Sequence, residues 1–454
     1  MRSLLTLSLT LLLCAACPGG EGGGGGGLPG EDGGLPDGSA VTDGGALPDG
    51  GAEDGGGDAG EPLPLLPHLA EDLAITSVEI FQTLQIPLMI QGVPAAPTGV
   101  PLIADRESVM RIWVEPQAGW VAGPVTLELE VGPPGSTIEP LSLTLGVDRA
   151  LPFDLTVPAE QLGLDAHYAL RLLTETGTPT EAGVDHPGRH PRDGSSLPLP
   201  TERDEGGVDL VLVPLRYQAD GSGRLPDTSP EQLAIIEELL LALYPIESVS
   251  IDVHAPIDWS DPLTLFTRNF DFGDLNTYLK DLKIAEGAPS TTYYYALVQP
   301  AATFADYCGR SCTTGQAFAV TDPENGNYRV GGGMGYSGER WAWTLVHELG
   351  HMHGRFHAPC GVDSWDADYP HAGGTLGVWG YDRRRDVFLD PALYADMMGY
   401  CDDQWISDYT YEALFERILT LSTLKSRKGA PLTKGAAAVC RSGLGEGGPT
   451  CVCD

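Results

Sequence analysis

Between residues 75 and 199 apolar and polar positions alternate in short runs. In 125–131, Val-Thr-Leu-Glu-Leu-Glu-Val, every second side chain is apolar, and 108–114, Ser-Val-Met-Arg-Ile-Trp-Val, follows the same trend. A period of two places the apolar set on one face of a strand. Pro and Gly clusters separate the runs, so several short strands predict an all-β sandwich over residues 62–203. It reads as a spacer, a substrate-binding module or a propeptide-like unit. The polar stretch around His186, Pro187, Gly188, Arg189 and His190 reads as a linker.

From residue 208 the pattern changes. Residues 208–215 form a nearly continuous apolar run, as a strand buried on both faces requires. Ser229-Pro230-Glu231 then supplies a cap, a proline at the first helical position and an acid in the first turn. That helix is expected to run to Leu243. Further strands are predicted at 249–253 and 293–298, with a short helix near 275–282 between them. Strand and helix alternate, so an α/β (α+β) domain is expected over 204–424.

Composition alters the picture at both ends. The chain has 454 residues, with 26 basic against 63 acidic side chains and a net charge of -37. A phosphate-backbone partner needs a basic footprint, so nucleic acid is excluded. The balance suits an extracellular protein. Of the 60 glycines, a large group falls in 18–61, a Gly/Pro/Asp-rich stretch that should form a disordered tether. Before it, Arg2, the apolar run 4–13 and Ala15-Ala16-Cys17 resemble a bacterial lipoprotein signal over 1–17, although Cys14 stands where such signals usually carry Leu. The expected location is therefore the bacterial cell surface or outer membrane, held by a lipid on Cys17, with simple secretion after cleavage near Ala16 as the alternative. No other apolar run is long enough to span a bilayer. Beyond the signal, seven cysteines lie in the C-terminal third: Cys308, Cys312, Cys360, Cys401, Cys440, Cys451 and Cys453. In an exported chain they are disulfide candidates. Cys360 with Cys401 is the expected pair, because both flank the site described next. Residues 425–454 read as a cysteine-bearing tail.

That site is the segment His347-Glu348-Leu349-Gly350-His351-Met352-His353-Gly354-Arg355-Phe356-His357. Residues four apart share a helix face, so His347 and His351 can present imidazoles to one ion. Gly354 permits a sharp turn after the helix, which brings His357 back as a third ligand. Three protein ligands leave the fourth position for water, as at a catalytic zinc, although other divalent ions suit the same histidines. Zinc would lower the pKa of that water to about 7 and polarise a peptide carbonyl. Glu348, beside the first ligand, is placed to take the water's proton as general base. His353 is at no ligand position and reads as exposed or as a support behind the ligands. Asp363, Asp366 and Asp368 raise calcium, but their loop lacks the ordered spacing of a calcium site, and solvated loop charge is the simpler reading.

The eleven-residue segment resembles the metzincin signature of zinc metalloproteases. Some forty residues on, Asp396-Met397-Met398-Gly399-Tyr400 looks like the methionine-containing turn beneath the metal in that clan. Met398 matches the turn methionine, with Met397 the alternative. The resemblance implies that Tyr400 is a further ligand or an oxyanion-stabilising group; a packed tyrosine is the bland reading. It also implies that residues 330–336, with Gly331-Gly332-Gly333, form the edge strand that pairs with substrate, a plain loop being the alternative. The secreted bacterial proteases that cleave glycoproteins and mucins are the nearest comparison. The expected function is a zinc endopeptidase acting on proteins or glycoproteins. The alternatives are a catalytically silent metal-binding adhesin, or a glycan-binding lipoprotein that works through the sandwich.

Overall fold

The computed structural model describes residues 68–175, 184–263, 272–308 and 312–429. The expected signal and tether, and Cys440, Cys451 and Cys453, lie outside the described residues.

The N-terminal half is two antiparallel sheets packed face to face. One is built on β1 (Leu73–Phe81), β2 (Gln85–Ile90), β3 (Ser108–Pro116) and β6 (Leu151–Val157), in the order β2-β1-β3-β6. The other contains β4 (Gly123–Gly132), β5 (Leu141–Val147) and β7 (His167–Thr174), in the order β7-β4-β5. In β4 the alternation is realised in full, since Val125, Leu127, Leu129 and Val131 are buried while the polar residues between them are more exposed. The stretch around His190 is not a linker. Arg189–His190 pairs with β7, and the buried His190 ring meets the Tyr168 hydroxyl at 3.0 Å. An imidazole that can share one polar contact joins a sheet more readily than its polarity in sequence suggests.

The C-terminal half is a mixed sheet in the order β9-β8-β10-β12-β11. Its strands are β8 (Val208–Tyr217), β9 (Val249–Val253), β10 (Tyr293–Val298), β11 (Gly315–Ala317) and β12 (Val330–Met334). All neighbours run parallel except β11, which is antiparallel to β12 at the edge. Helix α1 (Pro230–Leu243) starts where expected, with the Ser229 side chain accepting from the Gln232 N–H. Helix α2 (Phe272–Ala285) covers one face of the sheet, while α3 (Glu339–Met352) lies against the other beside α1; α4 (Asp408–Gly429) ends the described chain. Every residue of β10 is buried, with Tyr293, Tyr295 and Leu297 in one core and Tyr294, Ala296 and Val298 in the other. This explains why its sequence shows no alternation. Among the described residues no helix is long and apolar enough to cross a membrane.

The edge-strand expectation is also corrected. Residues 330–334 form an interior strand, buried throughout between β10 and β11. The edge is β11. The three glycines of β12 serve packing, since a side chain at Gly331 would press within 2.7 Å of Ala317 Cβ and one at Gly333 would collide with the Tyr295 hydroxyl.

The two halves share one hydrophobic core, in which Leu84 and Leu102 of the sandwich join Leu239, Leu345 and Met398. Polar groups buried at the junction fix the fit. Arg106 of the sandwich donates to the Tyr244 and Leu241 carbonyls (2.8 and 2.6 Å) and to Thr83 Oγ1 (2.8 Å), and Thr83 Oγ1 donates to the Ala242 carbonyl (2.8 Å). These carbonyls end α1, and such orphan groups need partners. Tyr244 in turn donates to the Val346 carbonyl of α3 at 3.0 Å. Replacing Arg106 by Met should cost about 3 kcal/mol, because the buried carbonyls lose charged donors. Urea unfolding should show the lowered midpoint; an unchanged midpoint would mean that the junction does not hold α1.

Candidate metal centre

Helix α3 carries the site. Its first turn is anchored by Gln232, whose Oε1 accepts from the Gly338 N–H at 2.7 Å. Trp341, Ala342, Leu345, Val346, Leu349 and Met352 bury its apolar face, leaving His347 and His351 on another. The helix closes at Gly354, with φ 90°. The Gly354 N–H reaches the His351 carbonyl (2.8 Å) and the Arg355 N–H reaches the Gly350 carbonyl (3.0 Å), the paired bonds of a Schellman turn. A side chain at Gly354 would press on the Val320 carbonyl at 2.8 Å. The turn swings His357 back over the helix.

One nitrogen each of His347, His351 and His357 lies within 4.8 Å of the other two. Backbone oxygens fix which nitrogen that is. His347 Nδ1 donates to the Met397 carbonyl (2.8 Å), His351 Nδ1 to the Arg355 carbonyl (2.7 Å), and His357 is held by the Ser364 backbone. A carbonyl only accepts, so at His347 and His351 Nδ1 carries the proton and Nε2 presents a lone pair. The Nε2 atoms of His351 and His357 stand 3.2 Å apart. Facing lone pairs repel unless a cation lies between them, and three neutral imidazole nitrogens are a donor set that suits zinc. Burial lowers all three imidazoles from the ordinary histidine range. At His347 the other two rings add to the effect of burial, and His357 falls to about 4. The ligands are therefore neutral at physiological pH.

Glu348 projects towards the sheet edge and is buried. Burial pushes its carboxyl up to about 8, against a smaller opposing effect from a hydrogen bond with the Ala317 backbone of β11. Its Oε2 has no partner among the described residues. Gly315 makes room for this carboxyl, since a side chain there would come within 2.8 Å of Glu348 Oε1.

Beneath α3 runs the turn at 396–400. A Cβ at Gly350 would overlap Met398 Sδ but clear Met397 Cε by 3.8 Å, so Met398 is the methionine whose sulfur lies under the ligand helix. Met397 contributes through its carbonyl, which orients His347. Asp396, not assigned a role from sequence, ties the turn together by accepting from the Met398 and Ser407 N–H groups (2.7 and 2.8 Å). The Tyr400 hydroxyl donates to His357 Nε2 at 3.0 Å. Cys360 is bonded to Cys401, as expected, and Cys308 to Cys312. The first bridge reinforces two backbone bonds, Ala358 N–H to the Met398 carbonyl (3.1 Å) and Tyr400 N–H to the Cys360 carbonyl (2.7 Å), which lace the His357 strap to the turn.

His353 and the three aspartates each carry two readings in the sequence. His353 is not exposed. It is stacked on Tyr293, donates to the Leu349 carbonyl (2.8 Å) and accepts from the Tyr293 hydroxyl (2.9 Å). Asp363, Asp366 and Asp368 do not converge as ion ligands among the described residues. Asp366 instead accepts from Tyr409 (3.0 Å) and lies 3.5 Å from the Arg355 guanidinium.

A half-buried three-histidine cluster beside a buried carboxyl suits a metal-dependent hydrolase. Residues 312–406 match the Peptidase M66 family model. A 63-residue stretch is 41% identical to dictomallein of Burkholderia mallei (strain ATCC 23344) and of Burkholderia pseudomallei (strain K96243). It covers 13% of this chain and 9% of the relatives, so the match spans about a tenth of their length. Both findings point to a metallopeptidase family. Among solved structures, a cycloisomaltooligosaccharide glucanotransferase of Paenibacillus sp. aligns at TM-score 0.16 and 9% identity, over 49% of this chain and 28% of that one. A likeness that low carries no argument.

Because burial lowers all three imidazoles from the ordinary histidine range, metal should stay bound below pH 6.5 and be lost as pH falls towards 4, where His357 takes its proton. Competition with a chromogenic chelator across that range measures this; loss centred near 6.5 would contradict it. The sign for stability agrees. Between about 6.5 and 4 the unfolded chain binds protons that native His353 and His357 refuse, so the metal-free protein should weaken steadily with acidification.

Proposed function

We propose that the protein is a zinc-dependent endopeptidase of the metzincin type, with His347, His351 and His357 holding the metal and Glu348 as general base. The observation that carries this reading is the convergence of three imidazole nitrogens within 4.8 Å of one another, next to a buried carboxyl on the same helix. When bound, zinc supplies Lewis acidity, lowering the pKa of a water towards 7 and polarising the scissile carbonyl.

The residues of the chain divide the remaining work. Glu348 Oε2 accepts the proton released in the attack and returns it to the leaving amine. Tyr400 donates to the same His357 lone pair that a metal takes, so metal loading makes its O–H available to the developing oxyanion. The edge strand β11 has one side paired with β12, and its other side suits an extended peptide laid alongside Glu348. We further propose export, a lipid anchor at Cys17 and protein or glycoprotein substrates; the support is the sequence of residues 1–61 and the acidic charge balance.

The test is cleavage of a protein and glycoprotein panel by the full chain. Glu348→Gln should abolish cleavage while leaving one zinc bound per chain. Tyr400→Phe should lower kcat roughly a hundredfold with zinc retained, as loss of one oxyanion donor does at the mild end of its range. Zinc bound without any cleavage by the native chain would turn the reading to a metal-holding adhesin.

A further inference from the structure

The run Tyr293-Tyr294-Tyr295 in β10 contains one hydroxyl that is not accounted for. Tyr293 donates to His353, and Tyr294 to Glu286 at 2.7 Å. Tyr295 is fully buried, yet its hydroxyl has no hydrogen-bond partner among the described residues. Burying a phenol this way is costly, and a phenylalanine would fill the same space. The hydroxyl lies close enough to Glu348 for the carboxylate charge to act on it.

The backbone between the two groups is bare. Gly333 and Gly315 are register partners on neighbouring strands. A Cβ at Gly333 would collide with the Tyr295 hydroxyl and lie 3.0 Å from the Thr314 carbonyl; one at Gly315 would lie 2.8 Å from Glu348 Oε1. Partners in an antiparallel pair point to the same side, their Cβ positions about 5 Å apart. The hydroxyl and the carboxyl therefore face each other across two glycines, beyond direct hydrogen-bond reach. A buried water needs two to four polar partners and about a probe sphere of space. Tyr295 O–H, Glu348 Oε1 and the Thr314 carbonyl are such a set.

We propose that Tyr295 is a positioning residue for Glu348, acting through one buried water that accepts from the Tyr295 hydroxyl and donates to Glu348 Oε1 and the Thr314 carbonyl. This rests on the reading of Glu348 as general base. Oε1 is then held from the protein side, by the water and by the Ala317 backbone, and Oε2 keeps its lone pairs for proton transfer. The glycines at 315 and 333 keep the passage open.

The experiment compares the full zinc-loaded chain with Tyr295→Phe. High-resolution crystal structures of both should show the water in the native protein, its loss in the variant and a Glu348 carboxyl turned or split between conformers. In cleavage assays kcat should fall roughly tenfold, with KM and zinc content unchanged, a split that general loosening of the core does not produce. An unchanged kcat, or a native structure without that water, overturns the proposal. If the native chain cleaves nothing that Glu348→Gln does not, the peptidase reading fails instead. The two crystal structures then decide alone whether Tyr295 orients the carboxyl, and an unmoved carboxyl in Tyr295→Phe overturns it.

Discussion

Three nitrogen lone pairs pointed at one place repel each other, and the fold has to hold them there. It does so by assigning each imidazole's other nitrogen to a backbone oxygen: Met397, Arg355 and Ser364. These acceptors come from the turn beneath the helix, from the Schellman turn and from the loop after the third ligand. A rotation of any ring would strand its N–H as well as break the convergence of the three nitrogens. The disulfide between Cys360 and Cys401 serves the same end by closing a 41-residue loop around the turn, worth about 4 kcal/mol on the chain-entropy account.

Much of the frame was legible from local signals. Ser229-Pro230-Glu231 marks the start of α1 because a cap, a fixed φ and a dipole-compatible acid act within four residues. The strands at 249–253 and 293–298 match their apolar runs. The three histidines and Gly354 share one short segment, so helical spacing plus one turn suggests a cluster, and the structure brings one nitrogen of each ring together.

What was not legible depends on partners distant in sequence. The glycines at 331–333 signal close approach but do not say from which side, and an edge was read where the strand is interior. The three-residue β11 is too short to carry a periodicity, yet it contacts Glu348. His353 looks polar until Tyr293, sixty residues earlier, is placed against it. Arg106 sits in the sandwich with no local feature to connect it with a helix end 138 residues away.

The core shared between the sandwich and the α/β half bears on how such a chain can diversify. Where modules meet through a thin polar contact, recombination can exchange one and keep the other working. Here a crossover near residue 204 would separate Arg106 and Thr83 from the carbonyls they satisfy, and those carbonyls adjoin Tyr244, the residue that steadies the ligand helix. The unit that can be inherited intact is therefore the pair. Substitutions in the sandwich, far from any imidazole, fall under the same selection as the site itself.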